Sequence, residues 1–252
     1  MMPKCMVFFA MAFSVPLAEA ADFHKTYDRA SSGFITIFTW NGDIKLSGYD
    51  GRNVEVTAVK KGPDRDLVEI QDDSFGNHVH LFSKYLDFGR NNATVDYEVR
   101  VPKEIFYNQI YLKSNSGTIT VKGVAGSLRL ETVGRAIEVR DVEGMLMASS
   151  VSGDVKGYLK QTTYRSVLRF ASISGNISVQ APPDLSAQVH LESASGRLKT
   201  DFPLEAKETR YGSGKFAFGK LGAGNQVLDI RSVSGAVTLS KKQAEGAGKA
   251  AK

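Results

Sequence analysis

The stretch LRFASISGNISV, at residues 168–179, decides the fold of this chain. Apolar residues occupy alternate positions on both sides of its central pair, Ser174 and Gly175. Alternation with a period of two predicts two short strands, each with one buried face. The glycine predicts a tight corner with positive φ, and the serine before it can hydrogen-bond to its own backbone in the turn.

The same unit recurs along the chain. Its anchor positions are 117, 135, 153, 175, 196, 214 and 235, at steps of 18 to 22 residues. Position 135 holds Arg135 instead of glycine, and the copy at position 214 keeps only its second half, Phe216 and Phe218. An earlier copy, ITIFTWNGDIKL, occupies residues 35–46. The predicted structural corners are therefore Gly42, Gly117, Gly153, Gly175, Gly196, Gly214 and Gly235.

A unit of about 20 residues cannot bury an apolar face by itself, so neighbouring copies must stack and share a core. We predict an all-β fold, a parallel β-solenoid similar to a β-helix, with about seven coils of 18–22 residues. An antiparallel sandwich or barrel would show hairpin turns every ~8–12 residues, with no need for glycine at one place in each unit. An outer-membrane barrel is disfavoured, because the segments of alternating apolar residues are shorter than the ~9–11 residues of a membrane-spanning strand.

Residues 54–103 do not carry the repeat. They alternate in segments such as VEVTAV and VDYEVRVP, broken by turn-forming residues, which predicts strands with hairpin-like turns. We expect this region to be an irregular end of the stack, because terminal repeats are commonly atypical. The prediction is one domain at residues 21–240, with an N-terminal β section at 21–103 and a repeat array at 104–240.

The first twenty of the 252 residues are typical of a secretory signal peptide. Lys4 precedes an apolar run from Cys5 to Leu17, and Ala18, Glu19 and Ala20 form a cleavage site. Cys5 is the single cysteine, so the mature chain would have no disulfide. We therefore expect a bacterial protein exported to the periplasm or cell surface, without a transmembrane span.

The chain is moderately basic, with a formal net charge of +5. Residues 241–252 supply +3 of this charge, from four lysines and one glutamate. This Lys/Ala/Gly segment is predicted to be a disordered tail, and a peripheral contact between its lysines and anionic envelope polymers is a further hypothesis. We expect no nucleic-acid partner.

The order of these segments resembles a known family. ITIFTWNGDIKLSGYDG at residues 35–51, VDYEVRVP at 95–102 and the recurring SGxIxV units are similar to the bacterial "putative adhesin" domain family of exported proteins. The resemblance implies a β-helix-like fold and a location outside the cytoplasm. It carries no catalytic or ligand-binding residues onto this chain.

Candidate chemistry is sparse in this sequence. His78 and His80 project from one face of a predicted strand, with Asp72 and Asp73 nearby, but a zinc site needs three or four ligands. A polysaccharide lyase or hydrolase needs clustered carboxylates, whereas those of the repeats occupy different places in their units: Glu131, Asp154 and Glu192. We predict no catalytic, cofactor-binding or metal-binding residues.

Aromatic residues concentrate between residues 75 and 165, and tyrosine is favoured in recognition surfaces. Tyr107, Tyr111 and Tyr158 are the predicted binding face. The leading hypothesis is a non-enzymatic envelope protein that binds a glycan or a protein through one face of the stack. The alternatives are a polysaccharide-modifying enzyme and a structural periplasmic scaffold that pairs through its open sheet edges.

Overall fold

The computed structural model describes residues 21–28, 33–87, 89, 92–160, 165–208 and 213–242. These residues form 21 β-strands and one short 3₁₀ turn at Arg65–Leu67, so the all-β prediction is confirmed. The predicted signal peptide and residues 243–252 of the predicted tail lie outside the described residues. No helix in the described part of the chain has the length and apolar character needed to cross a membrane.

The strands form two large sheets that face each other. Sheet 1 has ten strands and sheet 2 has eleven, and both mix parallel with antiparallel pairs. In spatial order, sheet 1 contains β1 (Phe23–Tyr27), β4 (Val54–Lys61), β7 (Thr94–Pro102), β3 (Ile44–Tyr49), β9 (Ile119–Lys122), β11 (Ile137–Arg140), β13 (Val155–Tyr158), β15 (Ile177–Ala181), β21 (Val237–Lys241) and β17 (Leu198–Thr200). Sheet 2 contains β18 (Ala206–Glu208), β19 (Lys215–Leu221), β16 (Ala187–Ser193), β20 (Gln226–Ser232), β14 (Val167–Ser172), β12 (Glu143–Ser150), β10 (Ala125–Thr132), β8 (Phe106–Ser114), β2 (Phe34–Thr39), β6 (His78–Tyr85) and β5 (Val68–Asp72).

Each repeat contributes one strand to each sheet. In the unit at residues 168–179, β14 lies in sheet 2, the chain turns at Gly175, and β15 lies in sheet 1. Neighbouring units pair in parallel through both strands, β12 with β14 and β13 with β15. Eight strand pairs among the described residues have this arrangement: β2–β3, β6–β7, β8–β9, β10–β11, β12–β13, β14–β15, β16–β17 and β20–β21.

The number and position of the coils differ from the prediction. Gly214 is not a coil corner, because it precedes β19, which runs antiparallel to β16 and extends sheet 2 alone. Residues 54–103 do form antiparallel pairs, but β6 and β7 also pair in parallel with β2 and β3. The N-terminal section is therefore part of the same stack, and coils occur on both sides of residue 103.

The spatial order also departs from the chain order in two places. The coil β6–β7 lies outside β2–β3, which pairs directly with β8–β9. The last coil, β20–β21, lies between β14–β15 and β16–β17. Because β21 continues to Lys241 and the Lys242 N–H donates to the Ala181 carbonyl, the folded body extends into the predicted tail.

The core lies between the two sheets and follows from strand alternation. In the central unit Leu168 and Phe170 of β14 meet Ile177 and Val179 of β15, and all four are buried. Burial of each such side chain contributes about 1.5–3 kcal/mol relative to exposure. The same pattern in each coil gives one continuous core, which orients every intervening side chain outward.

Candidate binding surface

The corner glycines are required by close stacking. Among the predicted corners that form coils, positive φ occurs only at Gly42, where φ is 127°. At Gly117, Gly153, Gly175, Gly196 and Gly235 a Cβ atom would overlap the corner carbonyl oxygen of the adjacent coil. The predicted reason for glycine was therefore wrong at these five positions, because the constraint is contact between coils and not a left-handed backbone.

A second feature of the corners was missed from the sequence. A buried serine or threonine stands three residues before each anchor that forms a coil corner, and its hydroxyl links two coils. Ser114 Oγ donates to the Gly42 carbonyl at 2.8 Å and accepts from the Gly117 N–H at 2.8 Å. The signal was present as a serine or threonine at the same offset in each unit: Thr39, Ser114, Thr132, Ser150, Ser172, Ser193 and Ser232.

The serine directly before a corner glycine lies in a different place from the buried serine three residues before that glycine. Ser152 and Ser234 are exposed, and each donates to a carbonyl of the adjacent coil, at 2.9 and 3.1 Å. Arg135 is also exposed, and its carbonyl accepts from Ser150 Oγ at 3.4 Å. The Arg135 coil therefore keeps the same connection although it lacks the anchor glycine.

The structure does not bring the three predicted tyrosines together. Tyr107 is completely buried in the core, so it cannot belong to a binding face. Tyr111 lies on the outer side of sheet 2, where its hydroxyl donates to Glu131 at 2.9 Å, and burial together with this bond raises its pKa. Tyr158 lies on sheet 1, with the Arg140 guanidinium 3.5 Å from its ring centroid. The prediction of a shared face is thus wrong, because a bulge in β8 places Tyr107 and Tyr111 on opposite sides of that strand, and Tyr158 lies on the other sheet.

The two neighbouring histidines take part in aromatic contacts. His78 stacks between Phe34 and Phe75, with ring centroids 4.4 and 4.7 Å apart. His80 is tilted against Phe82 at 5.7 Å. Among the described residues no group of three or more histidine and acidic side chains is arranged to hold a metal ion.

The carboxylates considered for catalysis are separated. Glu131 on β10 is paired with Arg129, and Glu192 on β16 lies beside His190. Asp154 is at the start of a sheet 1 strand, where it accepts the Asn176 N–H at 2.8 Å. Each carboxylate therefore has its own local partner.

Sheet 2 differs from sheet 1 in the character of its outer face. Every large hydrophobic side chain found exposed among the described residues lies on a sheet 2 strand or in a loop joined to one. These are Trp40, Phe75, Leu86, Phe106, Val133, Met145, Met147, Val151, Ile173, Phe218, Val227 and Val233. The outward positions of sheet 1 are mostly polar or charged, as in Thr120, Glu138, Lys156, Ser178 and Thr238.

Four of these hydrophobic residues form a continuous line, which we call the corner ridge: Val133, Val151, Ile173 and Val233. They follow the ends of the adjacent strands β10, β12, β14 and β20, and each is 42–53% exposed. Beside the ridge runs a groove of about 690 Å³, with the small side chains Ser149 and Ala171 at its centre.

A charged cluster lies at each end of this groove. At one end Glu131 is held by Arg129 and Tyr111, with Lys113 beside it. Burial opposes ionisation of Glu131, but these hydrogen bonds outweigh it and lower its pKa. At the other end Arg231 Nε donates to Asp229 at 2.7 Å, which raises the pKa of Arg231, and Glu192 and His190 lie next to them.

Comparison with known proteins places this fold in a family. A family model described as Toastrack DUF4097 matches residues 35–240, and no curated protein matches the sequence significantly. Similar solved structures include a "putative cell adhesion protein" from Clostridium sporogenes, which is 11% identical, with 87% of this chain and 99% of that chain covered and a TM-score of 0.49.

Two further structures have lower TM-scores. A "putative adhesin" from Bacteroides fragilis is 15% identical, with coverage of 87% and 96% and a TM-score of 0.43. A "putative lipid binding protein" from Parabacteroides distasonis is 14% identical, with coverage of 88% and 96% and a TM-score of 0.37. The resemblance predicted from the repeats is confirmed by the family match, and the chain belongs to the Toastrack DUF4097 family.

Proposed function

We propose that this protein is a non-enzymatic binding protein of the bacterial cell envelope, which holds a partner against the outer face of sheet 2. The observation that carries the proposal is the clustering of the exposed large hydrophobic side chains on the strands of that sheet and on the loops joined to them, which include the corner ridge. Contiguous exposed apolar surface is typical of interaction sites. Export to the periplasm or cell surface is part of the proposal and rests on the predicted signal peptide and the family resemblance.

The partner classes are an envelope glycan and a protein. The groove beside the corner ridge offers both apolar contacts and charged hydrogen-bonding groups, and a rigid stack can repeat weak contacts along its length. Assembly through the end of the stack formed by β17 and β18 is less well supported, because these edge strands have only three residues each and short edges limit pairing.

The test is retention of the purified chain on envelope polysaccharides and on envelope protein extracts, with reducing ends measured in the same tubes. Ile173→Asp on the corner ridge should reduce retention at least about tenfold, because it places a charge in the apolar contact. Ser178→Asp, on sheet 1 in the same coil, is the matched control and should retain the partner.

Three outcomes would overturn the proposal. Retention of both variants to the same measurable extent would exclude the sheet 2 face as the binding surface. New reducing ends would favour the polysaccharide-modifying enzyme. Retention that is lost at high salt and on deletion of residues 243–252 would assign binding to the lysine tail, since such attraction is screened by salt.

A further inference from the structure

We infer that the partner of the sheet 2 face is a second copy of this chain, packed face to face about a two-fold axis parallel to the strands between β12 and β14. This inference rests on the proposed function, because it names the partner of the same surface. It follows from the arrangement of charges across six adjacent strands.

The parallel registers place outward side chains of these strands in straight rows. One row lies along the groove and has the order positive, negative, small, small, positive, negative. Its members are Lys113, Glu131, Ser149, Ala171, Arg231 and Glu192. The order of signs reverses across the midpoint between Ser149 and Ala171.

The proposed rotation exchanges β8 with β16, β10 with β20 and β12 with β14, while each row meets itself. Lys113 then faces Glu192 of the second copy, and Glu131 faces Arg231 of the second copy. In the next row Arg129 faces Asp229 of the second copy in the same way. All three pairs have opposite charges, and the symmetry forms each of them twice.

The apolar groups match under the same rotation. On the corner ridge, Val133 faces Val233 of the second copy and Val151 faces Ile173. The small residues at the centre, Ser149 and Ala171, let the two faces approach closely, so that the longer charged side chains on either side can meet. In the two rows of charged residues, Arg169 is the charged member without an opposite charge across the interface, because it faces the Met147 side chain of the second copy.

The strands that flank these six, β2 and β19, also face each other under the rotation. The rotation exchanges β2 with β19, so Phe38 faces Phe216 of the second copy and Phe34 faces Lys220. Phe218, which is 71% exposed, would be covered. Eight strands at a spacing of ~4.8 Å, each about 20 Å long, give roughly 760 Å² per copy, close to the ~800 Å² per partner of a typical stable interface.

The test uses charge reversal at the pair nearest the axis, with molecular mass measured by sedimentation over a concentration series. Wild type should form a dimer, whereas Glu131→Lys or Arg231→Glu alone should weaken dimerisation by roughly a hundredfold, because two like-charged contacts replace two ion pairs. An equimolar mixture of the two variants should dimerise again, since the introduced lysine of one variant then meets the introduced glutamate of the other.

The matched control is Lys156→Glu on sheet 1, which should dimerise like wild type. Thermal unfolding of each variant monitors the fold, because Glu131 also pairs with Arg129. If Glu131→Lys does not fold, Lys113→Glu and Glu192→Lys provide a second pair for the same mixing experiment.

A monomeric wild type at about 100 μM, or single variants that are not rescued by mixing, would overturn the inference. The retention experiment with Ile173→Asp separates the two proposals. If wild type is monomeric but retention still depends on Ile173, the proposed function holds and the second copy is not the partner.

Discussion

At the scale of single residues, the corners share a geometry that uses one small residue and one hydroxyl. Gly175 lies against the carbonyl of Gly153, and Ser172 Oγ accepts from the Gly175 N–H at 2.9 Å while it donates to the Gly153 carbonyl at 3.3 Å. The same pair of contacts at Ser114 and Ser232 connects other coils. Stacking distance and hydrogen bonding therefore constrain the same few atoms.

We predict that Gly175→Ala lowers the free energy of unfolding by at least about 3 kcal/mol, because its Cβ would overlap the Gly153 carbonyl and force the coils apart. Gly134→Ala is the matched control, since its Cβ would be 3.7 Å from the Asn115 carbonyl oxygen, an ordinary contact. Urea unfolding gives the free energy of unfolding of wild type and of both variants. Equal stability of the two proteins would contradict this account of the corner.

The two serines of one corner should also differ. Ser232→Ala removes a buried hydroxyl that bonds to the Gly175 carbonyl and the Gly235 N–H, so we expect a loss of about 1–3 kcal/mol. Ser234→Ala removes an exposed hydroxyl and should cost less than about 0.5 kcal/mol. Ser232→Thr should recover part of the loss, since Thr132 makes the equivalent bond at 3.1 Å. Similar effects of the two alanine substitutions would refute the assignment.

At the scale of elements, the last coil, β20–β21, fills the space between two coils that precede it in the chain. The strands β20 and β21 pair with β14 and β15 on one side and with β16 and β17 on the other. The β16–β19 region is therefore connected to the rest of the stack mainly through residues that follow it in the chain. Its protection from local unfolding should depend on the last coil.

We predict that deletion of residues 226–252 removes hydrogen-exchange protection from β16 and β19, while β8–β13 stay protected. The reason is that the deletion leaves β14 and β16 without their shared neighbour. Deletion of residues 243–252 alone is the control and should leave both regions protected. If β16 remained protected in the longer deletion, it would have to pair directly with β14, and the last coil would be dispensable.

At the scale of the whole molecule, the two sheets have different outer surfaces and are joined at one end by an ion pair. Lys25 of β1 in sheet 1 binds Asp72 of β5 in sheet 2. Burial opposes ionisation of Asp72, but hydrogen bonds from Lys25 and Ser74 outweigh it and lower its pKa to about 2. A carboxyl group with a lowered pKa stabilises the folded state at neutral pH.

The stabilisation that ionised Asp72 gives to the folded state is complete above the unfolded-state pKa of 3.8 and is lost as the pH falls through about 2. We predict that Asp72→Asn lowers the stability at pH 7 by roughly 1 kcal/mol, because partial exposure of the ion pair screens it, and removes the corresponding decrease between pH 4 and pH 2. Lys25→Met should give a smaller loss at pH 7, because the hydrogen bond from the Ser74 N–H to Asp72 remains. Thermal unfolding across this pH range is the measurement, and an unchanged pH profile in Asp72→Asn would contradict the prediction.

The sequence alone determined the strand content, the two-strand unit and the positions of most corners. The alternation of apolar residues around Gly175 depends only on residues close to it in the chain. It could therefore be recognised without knowing which coil packs beside this one. The same reasoning misplaced Gly214, because alternation does not distinguish a coil from an antiparallel edge strand. It also grouped Tyr107 with Tyr111, which alternation places on opposite sides of β8 once the bulged register is known.

Only the tertiary structure decided which side chains share a surface. The corner ridge and the row from Lys113 to Glu192 depend on the order β8, β10, β12, β14, β20, β16, which is not the order of the chain. Because Arg231 reaches its place through the inserted last coil, no spacing along the sequence relates it to Glu131. The candidate surface is therefore a product of long-range strand pairing, while each coil that builds it is a product of local pattern.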